Sequence, residues 1–120
     1  MTSDRFRFWL DNLVRIWVMK KPDEVVNLVA DTFIWYEAPF ETPIETKENL
    51  LKEWQVVLDH DNVEVAYKIE VAEKDVAFAH WHATFTRLPS HEKTELEGIY
   101  KVVLNEKGKC NEFRQWYNAK

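Results

Sequence analysis

The stretch LEGIYKVVLNEKGKCNEFRQWY, from Leu96 to Tyr117, decides the predicted fold. Apolar residues alternate with polar or mixed ones up to Leu104, and the alternation resumes after a turn at Asn105–Gly108. A period of two on both sides of a short turn is typical of a β-hairpin with one buried face. The hairpin therefore predicts two neighbouring strands of an antiparallel sheet.

The same alternation assigns polar side chains to the predicted interior. In the second strand, the charged Glu112 and Arg114 are expected to face outward. This leaves Phe113, Gln115 and Tyr117 of the second strand facing inward. Together with Tyr100 of the first strand, they form a small inward-facing set that mixes polar and apolar groups. An interior that contains a phenol and an amide among apolar groups is typical of a binding pocket.

The bulk composition predicts one domain over residues 1–120 with a substantial core. The chain has 120 residues, of which 46% are hydrophobic and 14% aromatic, including six tryptophans. A net charge of −5 with no basic stripe argues against a nucleic-acid partner. The single cysteine, Cys110, excludes an internal disulfide. Neither a signal peptide nor a run of membrane-spanning length is present, so we expect a cytoplasmic protein without a membrane partner.

The remaining segments predict the element order ααβαββββ. Apolar spacing of three or four residues predicts helices over about 5–20 and 47–59, and Pro22 begins a further helix between them. β-Branched and aromatic runs predict strands over 32–36, 63–71 and 75–87. Helices that precede a run of antiparallel strands favour an α+β fold, with the helices covering one face of a curved sheet.

Four segments resemble the SnoaL-like branch of the nuclear transport factor 2-like superfamily. They are WYEAPF at 35–40, AHWHATFTR at 79–87, EGIY at 97–100 and GKCNEFRQWY at 108–117. The resemblance implies a cone-shaped α+β barrel, in which a strongly bent antiparallel sheet wraps around three N-terminal helices and encloses a pocket. It also implies a homodimer as the common assembly. Members include ketosteroid isomerases, polyketide cyclases, limonene epoxide hydrolases and proteins that bind without catalysing.

The positions at which these relatives place catalytic carboxylates hold other residues in this chain. The ketosteroid isomerase base corresponds to Ala38, and their oxyanion-binding Asp corresponds to Tyr100. The acidic residue of cyclases and epoxide hydrolases corresponds to Gln115. An alkyl group, a phenol and an amide do not abstract protons near neutral pH as a carboxylate does. The resemblance thus implies binding more than catalysis.

Three residues are nevertheless candidates for catalysis. Tyr100 and Gln115 share the inward face of adjacent strands, and the alternative is that they bond each other or a buried water. Glu37 is the one carboxylate near the usual base position. A regular strand directs Glu37 to the surface, whereas a bulge before Pro39 would direct it inward.

Aromatic residues supply most of the candidate ligand contacts, although such a set forms a packed core more often than a site. Ala77, Ala79 and Ala83 flank Trp81 and leave space that larger side chains would fill. The predicted ligand-binding residues are Trp17, Tyr36, Trp54, Tyr67, Trp81, Tyr100, Phe113, Gln115 and Tyr117.

No metal or cofactor site is expected. His80 and His82 share a face but lack a third ligand, so packing on the outer face is the preferred interpretation. His60 and His91 are expected in solvated loops. The sequence therefore predicts a homodimer that binds a small hydrophobic molecule. The alternatives are an isomerase, cyclase or hydrolase, and a protein-interaction module whose pocket is filled by aromatics.

Overall fold

The structure is a computed structural model that describes residues 2–120. The helices and strands follow one another along the chain in the predicted order. The helical elements are α1 (Thr2–Val18), a 3₁₀ helix (Pro22–Leu28), and α2 (Lys47–Trp54), which continues as a 3₁₀ turn over Gln55–Asp59. The strands are β1 (Val29–Tyr36), β2 (His60–Glu73), β3 (Val76–Arg87), β4 (Glu92–Leu104) and β5 (Cys110–Ala119). No helix within residues 2–120 has the length and hydropathy needed to cross a membrane.

The helices form where local sequence favours them, and each buries one stripe. The stripe predicted for α1 is fully buried, at Phe6, Leu10, Leu13 and Trp17. Thr46 caps α2 by accepting the main-chain N–H of Asn49 at 3.1 Å. The segment after Pro22 forms a 3₁₀ helix rather than the expected α-helix. Its seven residues are too few for an α-helix to gain much from propagation.

The five strands form one sheet in the order β1-β5-β4-β3-β2. The predicted hairpin is confirmed as β4 and β5, and Tyr100 lies directly opposite Gln115. β1 pairs with β5 in parallel, and all other neighbours are antiparallel. The α+β class is therefore confirmed. β1 and β2 are the edges of this curved sheet and do not pair with each other, so the sheet does not close into a barrel. The finer cone shape stays a prediction.

The strands separate an apolar inner face from a charged outer face. β3 shows this most clearly, because buried and half-buried residues alternate along its whole length. Its inner residues, Ala77, Ala79, Trp81, Ala83 and Phe85, are buried as predicted. On the outer face, His80 and His82 each lie 2.6 Å from a carboxylate oxygen, of Glu97 and Glu95 respectively. The core therefore lies between the inner face and the helices.

Gly98 lies where β4 and β5 approach each other closely. A Cβ atom at this position would overlap the main-chain carbonyl oxygen of Trp116. Only glycine permits this approach, because any other residue would force the strands apart. Gly98 also pairs with Trp81 on its other side, so it lies at the centre of the sheet beside the cavity described next.

Candidate functional site

A cavity of about 250 Å³ lies between the inner face of the sheet and the helices. Every strand except β1 contributes to its wall, as do α1 and α2, and the residue after β1 completes it. The lining residues are Leu13, Trp17, Glu37, Glu53, Trp54, Val56, Val57, His60, Trp81, Phe85, Arg87, Leu96, Tyr100, Phe113, Gln115 and Tyr117.

The structure brings most of the predicted site residues to this cavity. Of the predicted ligand-binding set, those that line the cavity are Trp17, Trp54, Trp81, Tyr100, Phe113, Gln115 and Tyr117. All three candidate catalytic residues, Tyr100, Gln115 and Glu37, also line the cavity. Glu37 lies beside Gln115 there. Their contact with a ligand stays a prediction.

Tyr36 and Tyr67 lie away from the cavity, contrary to their predicted place in its wall. Trp35 faces inward and is fully buried, so the next residue of the strand faces outward. The Tyr36 ring there stacks under the Arg114 guanidinium, 3.8 Å from the ring centroid. The Tyr67 hydroxyl instead donates to the Asp11 carboxylate at 2.6 Å, because edge strand β2 packs its face against α1.

Glu37 lies inside, and its expected surface placement is wrong. β1 ends at Tyr36 and the chain bends at Glu37, which breaks the alternation that would have sent the carboxylate outward. The carboxylate accepts hydrogen bonds from Trp35 Nε1 at 2.6 Å and from Gln115 Nε2 at 3.0 Å. A strand end, rather than the bulge considered from the sequence, thus turns this side chain into the cavity.

The environment of Glu37 shifts its acidity into the neutral range. Burial is the main cause that raises the pKa of Glu37 from 4.5 to about 7, and the nearby Glu53 and Glu41 add to the rise. Hydrogen bonds from Trp35 and Trp54 oppose it by stabilising the carboxylate. At neutral pH, both the acid and the carboxylate forms are therefore populated, which is the condition for acid–base catalysis.

Gln115 orients Glu37 rather than pairing with Tyr100. Its Nε2 donates to the Glu37 main-chain oxygen at 2.7 Å as well as to the carboxylate at 3.0 Å. Both amide hydrogens are thereby directed at one residue. Of the alternatives weighed from the sequence, a mutual hydrogen bond between Tyr100 and Gln115 is not the one that forms.

Tyr100 offers a phenol O–H to the cavity. Its ring stacks on Trp81 with centroids 4.8 Å apart and lies 5.2 Å from Phe113, so it is held on both sides. Burial raises the pKa of Tyr100 well above its ordinary value, and the negative charge of Glu37 raises it further. Tyr100 consequently keeps its proton at neutral pH and acts as a hydrogen-bond donor, not as a base.

His60 is a cavity residue that the sequence interpretation placed in a solvated loop. β2 begins at His60, three residues earlier than predicted, and the ring stacks on Phe85 at 4.0 Å. Trp17 Nε1 donates to His60 Nδ1 at 2.9 Å, so neutral His60 carries its proton on Nε2. Burial and the Arg87 charge lower the pKa of His60 to about 4, which keeps the ring neutral near pH 7.

Arg87 is a second cavity residue that lay outside the predicted site. It ends β3 directly opposite His60 in the β2–β3 register. Its Nε donates to Thr94 Oγ1 at 3.1 Å, and its guanidinium lies 5.3 Å from the Phe85 ring centroid. A signal was available in the sequence, because the inward alternation of Trp81, Ala83 and Phe85 continues to position 87.

Residues 2–120 contain no cluster of three or more His, Cys, Asp or Glu side chains that would suit a metal ion. The groups that do converge are a carboxyl group with a raised pKa, a phenol, an amide, a neutral imidazole and a guanidinium. Together they can hold a small molecule against an aromatic wall and exchange a proton with it.

The sequence profile of the SnoaL-like domain family matches residues 10–113. The chain belongs to the SnoaL-like domain family. No curated protein sequence matches the chain. The family match covers α1 from residue 10 onward, α2 and the strands as far as Phe113 in β5. It therefore includes every lining residue of the cavity except Gln115 and Tyr117.

Several solved structures share this fold at low sequence identity. One is the epoxide hydrolase/cyclase-like enzyme SalBIII, which has a role in pyran ring formation in the polyether salinomycin. It has a TM-score of 0.82 and 11% identity, over 98% of this chain and 95% of its own. A provisionally named isomerase from Bacillus subtilis has a TM-score of 0.84 and 10% identity over 98% and 89%. A Mycobacterium tuberculosis protein in complex with estradiol-17beta-hemisuccinate has a TM-score of 0.77 and 13% identity over 92% of each chain.

Proposed function

We propose that this SnoaL-like protein is an enzyme that binds a small molecule in the cavity and moves a proton on it through Glu37. The observation that carries the proposal is the buried Glu37 carboxyl group, whose pKa of about 7 and two side-chain hydrogen bonds suit acid–base work. The usual carboxylate positions of the family hold Ala38, Tyr100 and Gln115. Glu37 supplies the missing group from the neighbouring position.

Each polar side chain around Glu37 takes one part in the proposed step. Ionised Glu37 accepts a proton from a carbon next to a carbonyl, and the C–H electron pair moves toward the carbonyl oxygen. Tyr100 donates its O–H to that oxygen and stabilises the charge that develops there. Gln115 keeps the carboxylate in place. For a substrate with a C=C bond at the β,γ position, return of the proton to the γ-carbon moves that double bond into conjugation with the carbonyl and completes an isomerisation with no other reactant.

The size and lining of the cavity support a small and mostly apolar substrate. Its volume of about 250 Å³ is below the usual ~300–1,000 Å³ of ligand pockets. Trp17, Trp54, Trp81 and Phe113 supply flat apolar surface for such a molecule. Structural neighbours with cyclase-like and isomerase names, and one neighbour in complex with a small ligand, agree with a pocket used for small molecules.

The direct test measures proton exchange and the acidity of Glu37 together. Wild-type protein and Glu37→Gln are incubated in D₂O with small aryl ketones, and loss of the α-proton is followed by NMR. Loss of a positioned base reduces the rate by roughly 10²–10⁴-fold. Glu48→Gln is the matched control, because Glu48 is an exposed residue of α2 that pairs only with Lys52.

The same experiment has a clear contrary outcome. ¹³C NMR titration of the Glu37 carboxyl group should give a pKa near 7, as the structure indicates. A pKa near the ordinary 4.5, or equal exchange rates for wild type and Glu37→Gln, would contradict the proposal. Tyr100→Phe should slow exchange while leaving the Glu37 titration in the neutral range.

Binding without catalysis is the second candidate, because Ala38, Tyr100 and Gln115 stand where catalytic relatives place carboxylates. It predicts that Glu37→Gln binds the ketone as tightly as wild type and that neither exchanges protons. The third interpretation, a protein-interaction module, expects aromatic side chains to fill the pocket. The cavity beside Trp81 and Tyr100 argues against it.

We also propose that residues 1–120 act as one cytoplasmic domain and assemble as a homodimer through the outer face of the sheet. Trp116 supports this assembly, because 40% of its surface is exposed on a face that also carries ion pairs such as Lys101–Glu112. The residues proposed for the interface are Phe78, His80, Glu112, Arg114 and Trp116. Light scattering at micromolar concentration should give twice the chain mass, and Trp116→Asp should give the monomer. A monomeric wild type would contradict this assembly.

A further inference from the structure

One end of the cavity carries a cation, Arg87, that has no anionic partner in the part of the chain that the structure describes. Arg87 forms no ion pair with any carboxylate in residues 2–120, although acids outnumber bases in the chain. Arg87 is exposed to solvent, and contacts with the Phe85 ring and with Thr94 hold its guanidinium beside the cavity.

A second hydrogen-bond donor lies next to Arg87. His60 is its direct cross-strand neighbour and shares the Phe85 ring with it. Since Trp17 donates to Nδ1, the remaining His60 proton is on Nε2, and this buried N–H has no acceptor within residues 2–120. A buried donor without an acceptor is uncommon in folded proteins and calls for an explanation.

We infer that Arg87 and His60 form an anion subsite that binds a carboxylate carried by the substrate. A guanidinium presents paired N–H groups that match the two oxygens of a carboxylate. An oxygen seated against Arg87 also gives the enclosed His60 Nε2–H an acceptor. The inference rests on the proposed function in one respect only: the molecule bound here is the one whose carbon skeleton reaches Glu37.

The placement of the subsite fits that substrate. Arg87 on β3 and His60 on β2 lie toward one edge of the sheet. Glu37 lies against β5, toward the opposite edge of the same inner face. The stacked rings of Trp81 and Tyr100 lie between the two ends. A carboxylate at the first end therefore sets a short apolar skeleton across the two stacked rings. One cation and a neutral imidazole balance a single negative charge, which favours a carboxylate over a phosphate dianion.

The test compares ligands that differ only at the anionic group. Dissociation constants are measured by ¹⁹F NMR for 4-fluorophenylacetate, its neutral amide 4-fluorophenylacetamide, and 4-fluorobenzylphosphonate. Wild type should bind the carboxylate roughly tenfold or more tightly than the amide, since charge-assisted bidentate pairs are the strong ones. Phosphonate binding tighter than carboxylate binding would overturn the assignment to a carboxylate.

Arg87→Gln isolates the proposed contact. It should reduce the carboxylate-to-amide preference to within about twofold, because the neutral amide gains much less from the guanidinium than the carboxylate does. Arg7→Gln is the matched control, because it makes the same charge change on the exposed side of α1. A preference that survives Arg87→Gln, or that Arg7→Gln reduces equally, would overturn the inference.

A measurement on the wild type tests His60 without a substitution. In a long-range ¹H–¹⁵N spectrum, His60 should show its proton on Nε2, and that resonance should move with the carboxylate but not with the amide. Equal movement with both ligands would remove His60 from the subsite. Failure of this proposal is distinct from failure of the Glu37 mechanism, because the preference is measured at equilibrium and should persist in Glu37→Gln. Proton exchange without the preference would overturn the subsite alone.

Discussion

The side-chain amide of Gln115 donates to both the main-chain oxygen and the carboxylate of Glu37, at 2.7 and 3.0 Å. These two residues lie 78 positions apart in the sequence. They meet because β1 joins the sheet in parallel beside β5, which places the end of β1 next to the middle of β5. An amide on β5 thus holds an acid that directly follows the end of the neighbouring strand β1.

Trp35→Phe should raise the pKa of Glu37 further. The Trp35 indole N–H donates to the carboxylate at 2.6 Å and opposes the effect of burial. A hydrogen bond to a charged group is worth ~1.5–3 kcal/mol, so the pKa should rise by roughly one to two. ¹³C NMR titration of Glu37 measures the change. Trp9→Phe is the control, since its N–H donates to Leu28 instead; an unchanged Glu37 pKa in Trp35→Phe would contradict the prediction.

Glu37 should make folding stability fall with rising pH. Folding raises its pKa from 4.5 to about 7, so the native state holds more protons than the unfolded state between these values. The stability that Glu37 contributes is therefore present below pH 4.5 and lost as the pH rises through 7. The loss is at most about 3 kcal/mol, which is the free energy that corresponds to a pKa change from 4.5 to about 7.

The opposite slope of His60 makes the comparison with Glu37→Gln informative. Folding lowers the pKa of His60 from 6.5 to about 4, so its contribution is present above pH 6.5 and lost as the pH falls. The two effects oppose each other in wild type. Urea unfolding of Glu37→Gln between pH 4.5 and 7.5 should consequently show stability rising with pH more steeply than in wild type. Parallel curves for the two proteins would rule out the raised pKa.

Trp81→Ala should cost roughly 3–5 kcal/mol of unfolding free energy. Trp81 is only 1% exposed and stacks on Tyr100 at the centre of the sheet. Urea denaturation measures the loss. Trp116→Ala, on the outer face, should cost less than about 1 kcal/mol in the monomer. A loss below about 1 kcal/mol for Trp81→Ala would mean that the residue does not pack as the structure shows.

Gly98→Ala should destabilise the protein more than Gly108→Ala. The added methyl group at 98 meets the main-chain carbonyl oxygen of Trp116, which cannot move without breaking the β4–β5 pairing. Gly108 has open space around it and a φ of 78°, so alanine there costs only the left-handed backbone strain of about 1 kcal/mol. We expect a loss of about 2–4 kcal/mol at 98 by thermal unfolding. Similar losses at the two positions would argue against the close approach.

The sequence by itself determined the element order, the inner face of the sheet and the family. These features follow from local regularities, because a period of two or about 3.6 in apolar residues is readable without knowing which segments meet. The alternation in β3 and the hairpin of β4 and β5 therefore match the structure closely. It also brought Tyr100 and Gln115 to one wall, since both lie on regular strands with a known register.

Only the tertiary structure decided which polar groups enter the cavity at strand ends. Glu37 follows the last residue of β1, and His60 begins β2, so neither direction could be taken from the alternation within a strand. Their acidity was equally hidden, because both shifts arise mainly from burial in a cavity that distant segments enclose. Gln115 contacts Glu37, whereas Trp17 and Phe85 contact His60. Desolvation depends on the packing of the whole chain, which no local pattern records.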